Sequence, residues 1–295
     1  MSGTAEPRGT VHCADGVEVA RGLADESVDL VYLDPPFNTG RRQERERTRA
    51  KRVEEGEGDR TGFGGRRYET VRLGSTSFDD AFDDYLGFLE PFLVESRRLL
   101  KPSGALYLHL DYREAHYAKV LLDEIFGREC FVNEIIWAYD YGGRTKKRWP
   151  AKHDTILFYA KDPERNLFNA DEVERIPYMA PGLVGAEKAA RGKLPTDVWW
   201  HTIVSPTGKE KLGYPTQKPL GVLKRIVSAS SPPGGLVVDL VAGSGTAGAA
   251  ALELGRRFVL ADRSEEAFAM MEKRFAGKKG VEFRGVEASS EQQST

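Results

Sequence analysis

Residues 234–275 read GGLVVDLVAGSGTAGAAALELGRRFVLADRSEEAFAMMEKRF. Leu236 to Leu240 is a short run of apolar sheet formers, bounded by Gly234-Gly235 and by a glycine-rich turn, and reads as a buried strand. The turn, Val241-Ala242-Gly243-Ser244-Gly245-Thr246, opens into an alanine-rich stretch from Ala247 to Leu254, which reads as a helix stopped by Gly255. Arg257 to Ala261 supplies a second strand ending on Asp262, and Ser264 caps a further helix over Glu265 to Phe275. A strand, a glycine turn at a helix amino terminus and a second strand form a nucleoside-binding α/β unit. In such a unit Asp262, at the carboxyl end of the second strand, is placed to accept from ribose hydroxyls.

Gly243, Gly245 and Gly248 also satisfy the G-x-G-x-x-G spacing of dinucleotide sites, which makes an NAD-dependent dehydrogenase the rival reading. About 45 residues follow this turn, too few for the second half of a dinucleotide fold, and no hydride-transfer pair accompanies it. The remaining strands must come from earlier in the chain. One of them lies in VDLVYLDPPFNTG, residues 28–40, where an apolar run meets a single carboxylate, Asp34. Pro35 and Pro36 have no N–H and a fixed φ, so they end the strand's ladder. Asp34 is left with acceptors and no competing donors, and Phe37 adds a flat apolar face. Acceptors beside a ring suit a planar heterocycle that carries an exocyclic amino group.

With 295 residues, 40% apolar and 30% charged, the chain can bury the core of one large soluble domain. No stretch approaches a membrane span and no signal-peptide layout opens the chain, so a cytoplasmic protein without membrane contact is expected. Cys13 and Cys130 make no metal or redox spacing, and no metal is expected. The net charge of −2 conceals a local patch. Arg144, Lys146, Lys147, Arg148 and Lys152 form a single-signed run with Tyr139, Tyr141 and Trp149 interleaved and Gly142-Gly143 before it, which points to phosphate contact. Residues 40–74 hold eleven Lys/Arg and seven Asp/Glu with almost nothing to bury, and read as a mobile charged loop.

Together, the glycine turn and the Asp-Pro-Pro-aromatic turn describe a methyl donor set beside an amino group. The sequence resembles the S-adenosylmethionine-dependent DNA amino-methyltransferases that act on adenine N6 or cytosine N4. It is closest to their permuted beta group, in which the Asp-Pro-Pro-aromatic motif precedes the cofactor turn. Four ordered blocks carry the resemblance: ADGVEVARGLADESVDLVYLDPPFNTG, FLVESRRLLKPSGALYLHLD, KHDTILFYAKD and GYPTQKPLGVLKRIVSASSPPGG. It implies a Rossmann-like methyltransferase fold, an α/β doubly wound mixed sheet of seven strands with circularly permuted motif order. Those strands are expected at 10–14, 29–33, 104–109, 132–138, 154–160, 236–240 and 257–261. One catalytic domain, 1–295, is implied, with a target-recognition insert at 161–213.

The resemblance further implies S-adenosylmethionine as cofactor, held by Asp239, Val241, Ala242, Gly243, Ser244, Gly245 and Thr246, with Asp262 on the ribose and Asp15 on the adenine. Asp34 and the Pro35 carbonyl would accept from the target amino group, with Pro36 shaping the turn and Phe37 stacking on a base flipped out of double-stranded DNA. Lys218, in TQKP, is expected on the cofactor carboxylate or a phosphate, and His153 on the flipped base. Trp199 and Trp200 divide between core and surface. Asp in the first motif position points to adenine N6, with cytosine N4 as the alternative. A restriction partner and a homodimer accompany such enzymes. Val241 stands where the family has phenylalanine. This is the only hint of a decayed methyltransferase kept as a DNA-binding subunit; the intact Asp34-to-Phe37 motif and turn glycines oppose that reading.

Overall fold

The computed structural model describes residues 7–52, 60–61, 67–80, 82–142, 144–205, 208 and 210–285, with backbone alone over 41–80. The rest of the expected 40–74 loop and Gly143 lie outside the described residues. The chain divides into two units, Met1–Pro35 with Leu86–Thr295, and Pro36–Tyr85.

The first unit is built on β1 (Gly9–Cys13), α1 (Gly16–Arg21) and β2 (Val28–Leu33). After the second unit the chain continues through α2 (Tyr85–Leu99), β6 (Leu100–Leu110), α3 (Ala115–Phe126), β7 (Phe131–Ala138) and β8 (His153–Ala160). Then come α4 (Ala186–Arg191), β9 (Val198–Trp200), α5 (Leu220–Ser230), β10 (Leu236–Asp239), α6 (Thr246–Glu253), β11 (Arg257–Asp262), α7 (Glu265–Phe275) and β12 (Val281–Arg284). One mixed sheet joins nine strands in the order β12-β1-β11-β10-β2-β6-β8-β7-β9. From β12 to β6 every pair is parallel, and β8 alone runs against both of its neighbours.

All seven expected strands are present. The count of seven is corrected to nine among the described residues by β9 and β12, which close the two edges. Neither carries a periodic apolar signal: β9 has three residues, and β12 is largely exposed. Every residue of β2 is buried, as a parallel strand covered on both faces requires. One apolar cluster packs Leu30 and Tyr32 of β2, Tyr107 of β6 and Leu260 of β11 with Leu223 of α5, Ala247 of α6 and Met271 of α7.

Because β1, β11, β10, β2 and β6 are parallel, their carboxyl ends share one edge of the sheet. Asp15, Asp262, Asp239, Asp34 and Asp111 stand there, one at each strand end. The reversed β8 brings its amino end, His153 and Asp154, to that same edge, where His153 pairs in register with Ala138. From β10 the chain proceeds to β11 on one side, and from β2 to β6 on the other. The adjacent carboxyl ends of β10 and β2 are therefore a topological switch point, the crevice where open α/β sheets bind ligands.

The second unit holds β3 (Arg41–Arg52), β4 (Arg60–Thr61) and β5 (Arg67–Asp80), an antiparallel sheet in the order β3-β5-β4. The described part of the expected 40–74 loop therefore runs in strands. A ladder of backbone N–H and C=O groups needs no apolar side chain, so a strand pair made of charged residues escaped a reading based on burial. Its register sets Arg41 opposite Asp80, Arg42 opposite Asp79 and Lys51 opposite Glu69.

Candidate active site

The glycine turn satisfies its own donors. Val241 N–H donates to Asp239 Oδ1 at 3.1 Å, Ala242 N–H to the Ala261 carbonyl at 3.0 Å, and Gly243 N–H to Asp262 Oδ2 at 2.8 Å. Gly245 N–H closes the turn on the Ala242 carbonyl at 2.8 Å. Gly243 and Gly245 have φ of +51° and +73°, the left-handed region that favours glycine. The two differ in what surrounds them. A methyl group at Gly243 would come 3.1 Å from Cε1 of Tyr214, whereas one at Gly245 would meet Met271, Phe275 and Leu260 in the core. Gly245 therefore lets the turn pack on α7. Gly248 has the same role, since a methyl group there would meet Leu260 at 2.7 Å.

What the turn offers a ligand is a pair of buried carboxyl groups. Burial pushes the Asp239 carboxyl well above the usual range, and the charges of Asp34 and Asp262 add to that push. Burial also raises Asp262, against the N–H groups of Ser264 and Gly243 that it accepts. A pyrophosphate needs free N–H donors and a positive field. Four of this turn's donors are occupied, so it does not present the free N–H groups that a pyrophosphate takes. Arg274 backs the turn, donating to the Ser244 carbonyl at 2.5 Å and to Thr246 Oγ1 at 3.3 Å. Burial pushes this guanidinium down to about 10.

On the neighbouring strand, Asp34 is held unevenly. Its Oδ2 lies 2.7 Å from Nζ of Lys218, whereas Oδ1 is buried and has no hydrogen-bond partner among the described residues. Lys218 was expected on the cofactor or a phosphate; its side chain instead pairs with the motif carboxylate. Asp15 caps α1, its Oδ1 accepting from the N–H groups of Val17 and Glu18. Pro36 and Phe37 belong to the second unit, where the Pro36 carbonyl accepts from the Tyr85 hydroxyl at 2.8 Å.

Comparison with known proteins decides what these two turns belong to. The DNA methylase family model for N6 and N4 methyltransferases matches residues 28–273. The chain belongs to the N6/N4 DNA methylase family. Its members are S-adenosylmethionine-dependent DNA amino-methyltransferases. The type II methyltransferase M.HpaI of Haemophilus parainfluenzae is 28% identical over 279 residues, covering 95% of this chain and 76% of that protein. The DNA adenine methyltransferase YhdJ of Escherichia coli K12 is 28% identical over 263 residues, covering 85% and 76%. The fold matches M1.HpyAVI in complex with S-adenosylmethionine (TM-score 0.57, 20% identity, 91% and 99% covered). It also matches the cytosine-N4-specific PvuII methyltransferase (TM-score 0.60, 15% identity, 90% and 88% covered).

In this methylase a cleft of about 550 Å³ opens beside Asp34's partners, lined in part by Asp111, Trp137, Tyr139, His153, Asp154 and Lys218. Arg144 and Arg148 of the basic run also line it, while Lys146 and Lys147 are exposed beside them. Lys152 donates to the Gly142 carbonyl at 3.1 Å. Trp199 is buried and Trp200 exposed, so the pair does divide between core and surface. The sequence reading missed His109, Asp154, Tyr32 and Tyr139. His109 is fully buried, with Nε2 3.2 Å from Asp154 Oδ2 and Nδ1 2.8 Å from the Tyr32 hydroxyl. Tyr139 donates to Asp154 Oδ1 at 2.9 Å. The available signal was a histidine at an inward position of the apolar strand LYLHL. Among the described residues no group of three His, Cys, Asp or Glu could hold a metal, and no helix is long and apolar enough to cross a membrane.

Proposed function

We propose that this methylase transfers a methyl group to the exocyclic N6 of adenine in double-stranded DNA, with Asp34 as the acceptor for the target amino group. The observation that carries this reading is Oδ1 of Asp34, a buried acceptor without a partner at the switch point beside the glycine turn. A buried carboxylate oxygen left unpaired costs free energy unless something fills it, and an amino group pointed into the crevice does so. S-adenosylmethionine, when bound, supplies an electrophilic methyl group on its sulfonium. Residues 239–246 and Asp262 would hold it.

Oδ1 accepts a hydrogen bond from the target N–H, turning the nitrogen lone pair out of ring conjugation and toward the crevice. Lys218 fixes Oδ2, so the carboxylate presents one defined oxygen. Asp34 need not be a strong base, because the amine proton becomes acidic only after the nitrogen has gained its methyl. Oδ1 is then the nearest place for it. Phe37, next along the chain, is read as the stacking ring on the flipped base. Adenine is favoured over cytosine by the acidic first position of the motif and by the likeness to YhdJ.

The test is to incubate the protein with S-adenosylmethionine and mixed-sequence duplex DNA, hydrolyse the DNA and separate its nucleosides. N6-methyladenosine supports the reading, N4-methylcytidine moves the target to cytosine, and neither product returns the chain to a non-catalytic DNA-binding role.

A further inference from the structure

Behind Asp34 lies a buried network that transfer of the methyl group does not itself require. His109 is the last residue but one of β6 and has no exposure. It is faced by Tyr32 and Asp34 from β2, by Asp154 from β8 and by Trp137 from β7, with Tyr139 on the far oxygen of Asp154 and Lys218 on the far oxygen of Asp34. Two distances define its role. Nδ1 is 2.8 Å from the Tyr32 hydroxyl and 3.7 Å from Asp34 Oδ1, the first a hydrogen bond and the second beyond one. Burial alone would raise Asp154, but the hydrogen bond from His109, with Lys218 and Tyr139, holds it below the usual range. An ionised Asp154 accepts only, so the hydrogen between it and the imidazole belongs to Nε2. In the neutral imidazole Nδ1 is then a lone pair, and Tyr32 donates to it.

We infer that His109 is a positioning residue: pinned by Asp154 and Tyr32 with its lone pair toward Asp34, it keeps Oδ1 open for the target amino group. A hydrogen on Nδ1 would reverse this. It would have an unpaired carboxylate oxygen less than 1 Å beyond bonding distance, and a small shift would join the two. Oδ1 would then be filled from behind, and the amino group would lose its acceptor. Tyr32 prevents that by occupying Nδ1 as a donor, which explains a tyrosine hydroxyl buried in the sheet against a histidine.

This inference rests on the assignment of Oδ1 to the target amine. The test is Tyr32→Phe, which removes one oxygen and little volume. With the donor gone, Nδ1 gains most by carrying a hydrogen toward Asp34. The single-turnover rate should fall roughly tenfold, the equivalent of one hydrogen bond, and its acid limb should move to higher pH. Affinity for S-adenosylmethionine should stay at the wild-type value. A purely structural tyrosine would lower the rate equally at all pH values, and an unmoved limb overturns the inference. Nitrogen chemical shifts of the His109 imidazole in the unmutated protein give a second reading at neutral pH. Nε2–H with a bare Nδ1 is expected, and Nδ1–H overturns it. Asp34→Ala, assayed in parallel, separates the two claims. An active Asp34→Ala removes the assignment of the acceptor itself, whereas an inactive one beside an unshifted Tyr32→Phe profile removes only the role of His109.

Discussion

Lys218 and Asp34 approach to 2.7 Å through Nζ and Oδ2, although 184 positions of sequence numbering separate them. The lysine comes from the segment before α5 and the aspartate from the end of β2, so the pair ties the Asp-Pro-Pro turn to the helix that packs beneath it. It also makes the two carboxylate oxygens inequivalent, with one neutralised and the other unfilled.

Replacing Asp34 with alanine is expected to lower methyl transfer by a hundredfold or more, the scale seen when a preorganised polar partner of the reacting group is deleted. Cofactor affinity, measured by calorimetry, should change little, because the glycine turn lies on the neighbouring strand. Near-normal turnover in this variant would remove Asp34 from the chemistry.

Gly245→Val should act on stability before it acts on binding. Its φ of +73° disfavours a side chain, and the added atoms run into Met271 and Phe275. Strain and overpacking together suggest a loss of about 2–5 kcal/mol. Denaturant unfolding of the cofactor-free protein is the measurement. A variant of unchanged stability with weakened cofactor binding would return Gly245 to the ligand side of the turn.

The cofactor-free protein is expected to lose stability as pH rises. The folded-state pKa of Asp239 is raised by burial, so its favourable contribution is complete below the ordinary carboxylate value, near pH 4, and is lost as pH climbs through the raised one. Asp239→Asn keeps an acceptor for the Val241 N–H and removes the buried charge. Thermal unfolding across pH 5 to 8 should therefore show a flatter profile for the variant, with the larger gain at the alkaline end. Parallel profiles would show that Asp239 is not the group responsible.

The exposed run from Arg144 to Lys152 is expected to grip phosphates at the mouth of the cleft. Alanine at Lys146, Lys147 and Arg148 should weaken cognate and scrambled duplexes alike. It should also flatten the salt dependence by about 0.9 units of slope for each phosphate no longer neutralised. Binding across a salt series decides it. An unchanged slope would leave these residues as solvated surface charge, and a vanished site preference would make them readers of bases.

The elements legible in the sequence were those that bury an apolar face. Leu30 to Leu33 and Leu236 to Leu240 declared themselves because a parallel strand covered on both sides must be apolar throughout. The carboxylates and glycines punctuating those strands could be read for the same reason, since they interrupt a run that has no other reason to stop. Residues whose meaning depends on a neighbour distant in sequence were not legible. Lys218 could be assigned a charge but not Asp34 as its partner, and His109 looked like one more residue of an apolar strand. Gly245 could be noticed for its type but not for its surroundings, because which side of a turn a missing side chain faces is a fact of packing.

The strand order carries a consequence for synthesis. On the ribosome β1 emerges first, yet both of its partners, β11 and β12, are made last. β2 can pair with β6 early, but its other edge waits for β10, about two hundred residues later. A nascent chain stopped before residue 236 thus carries a wholly buried strand with one edge bare, held only by contacts of long sequence separation that close slowly. Fragments ending there should be captured by chaperones or aggregate, and completion of β10 is the event that commits the chain to its fold.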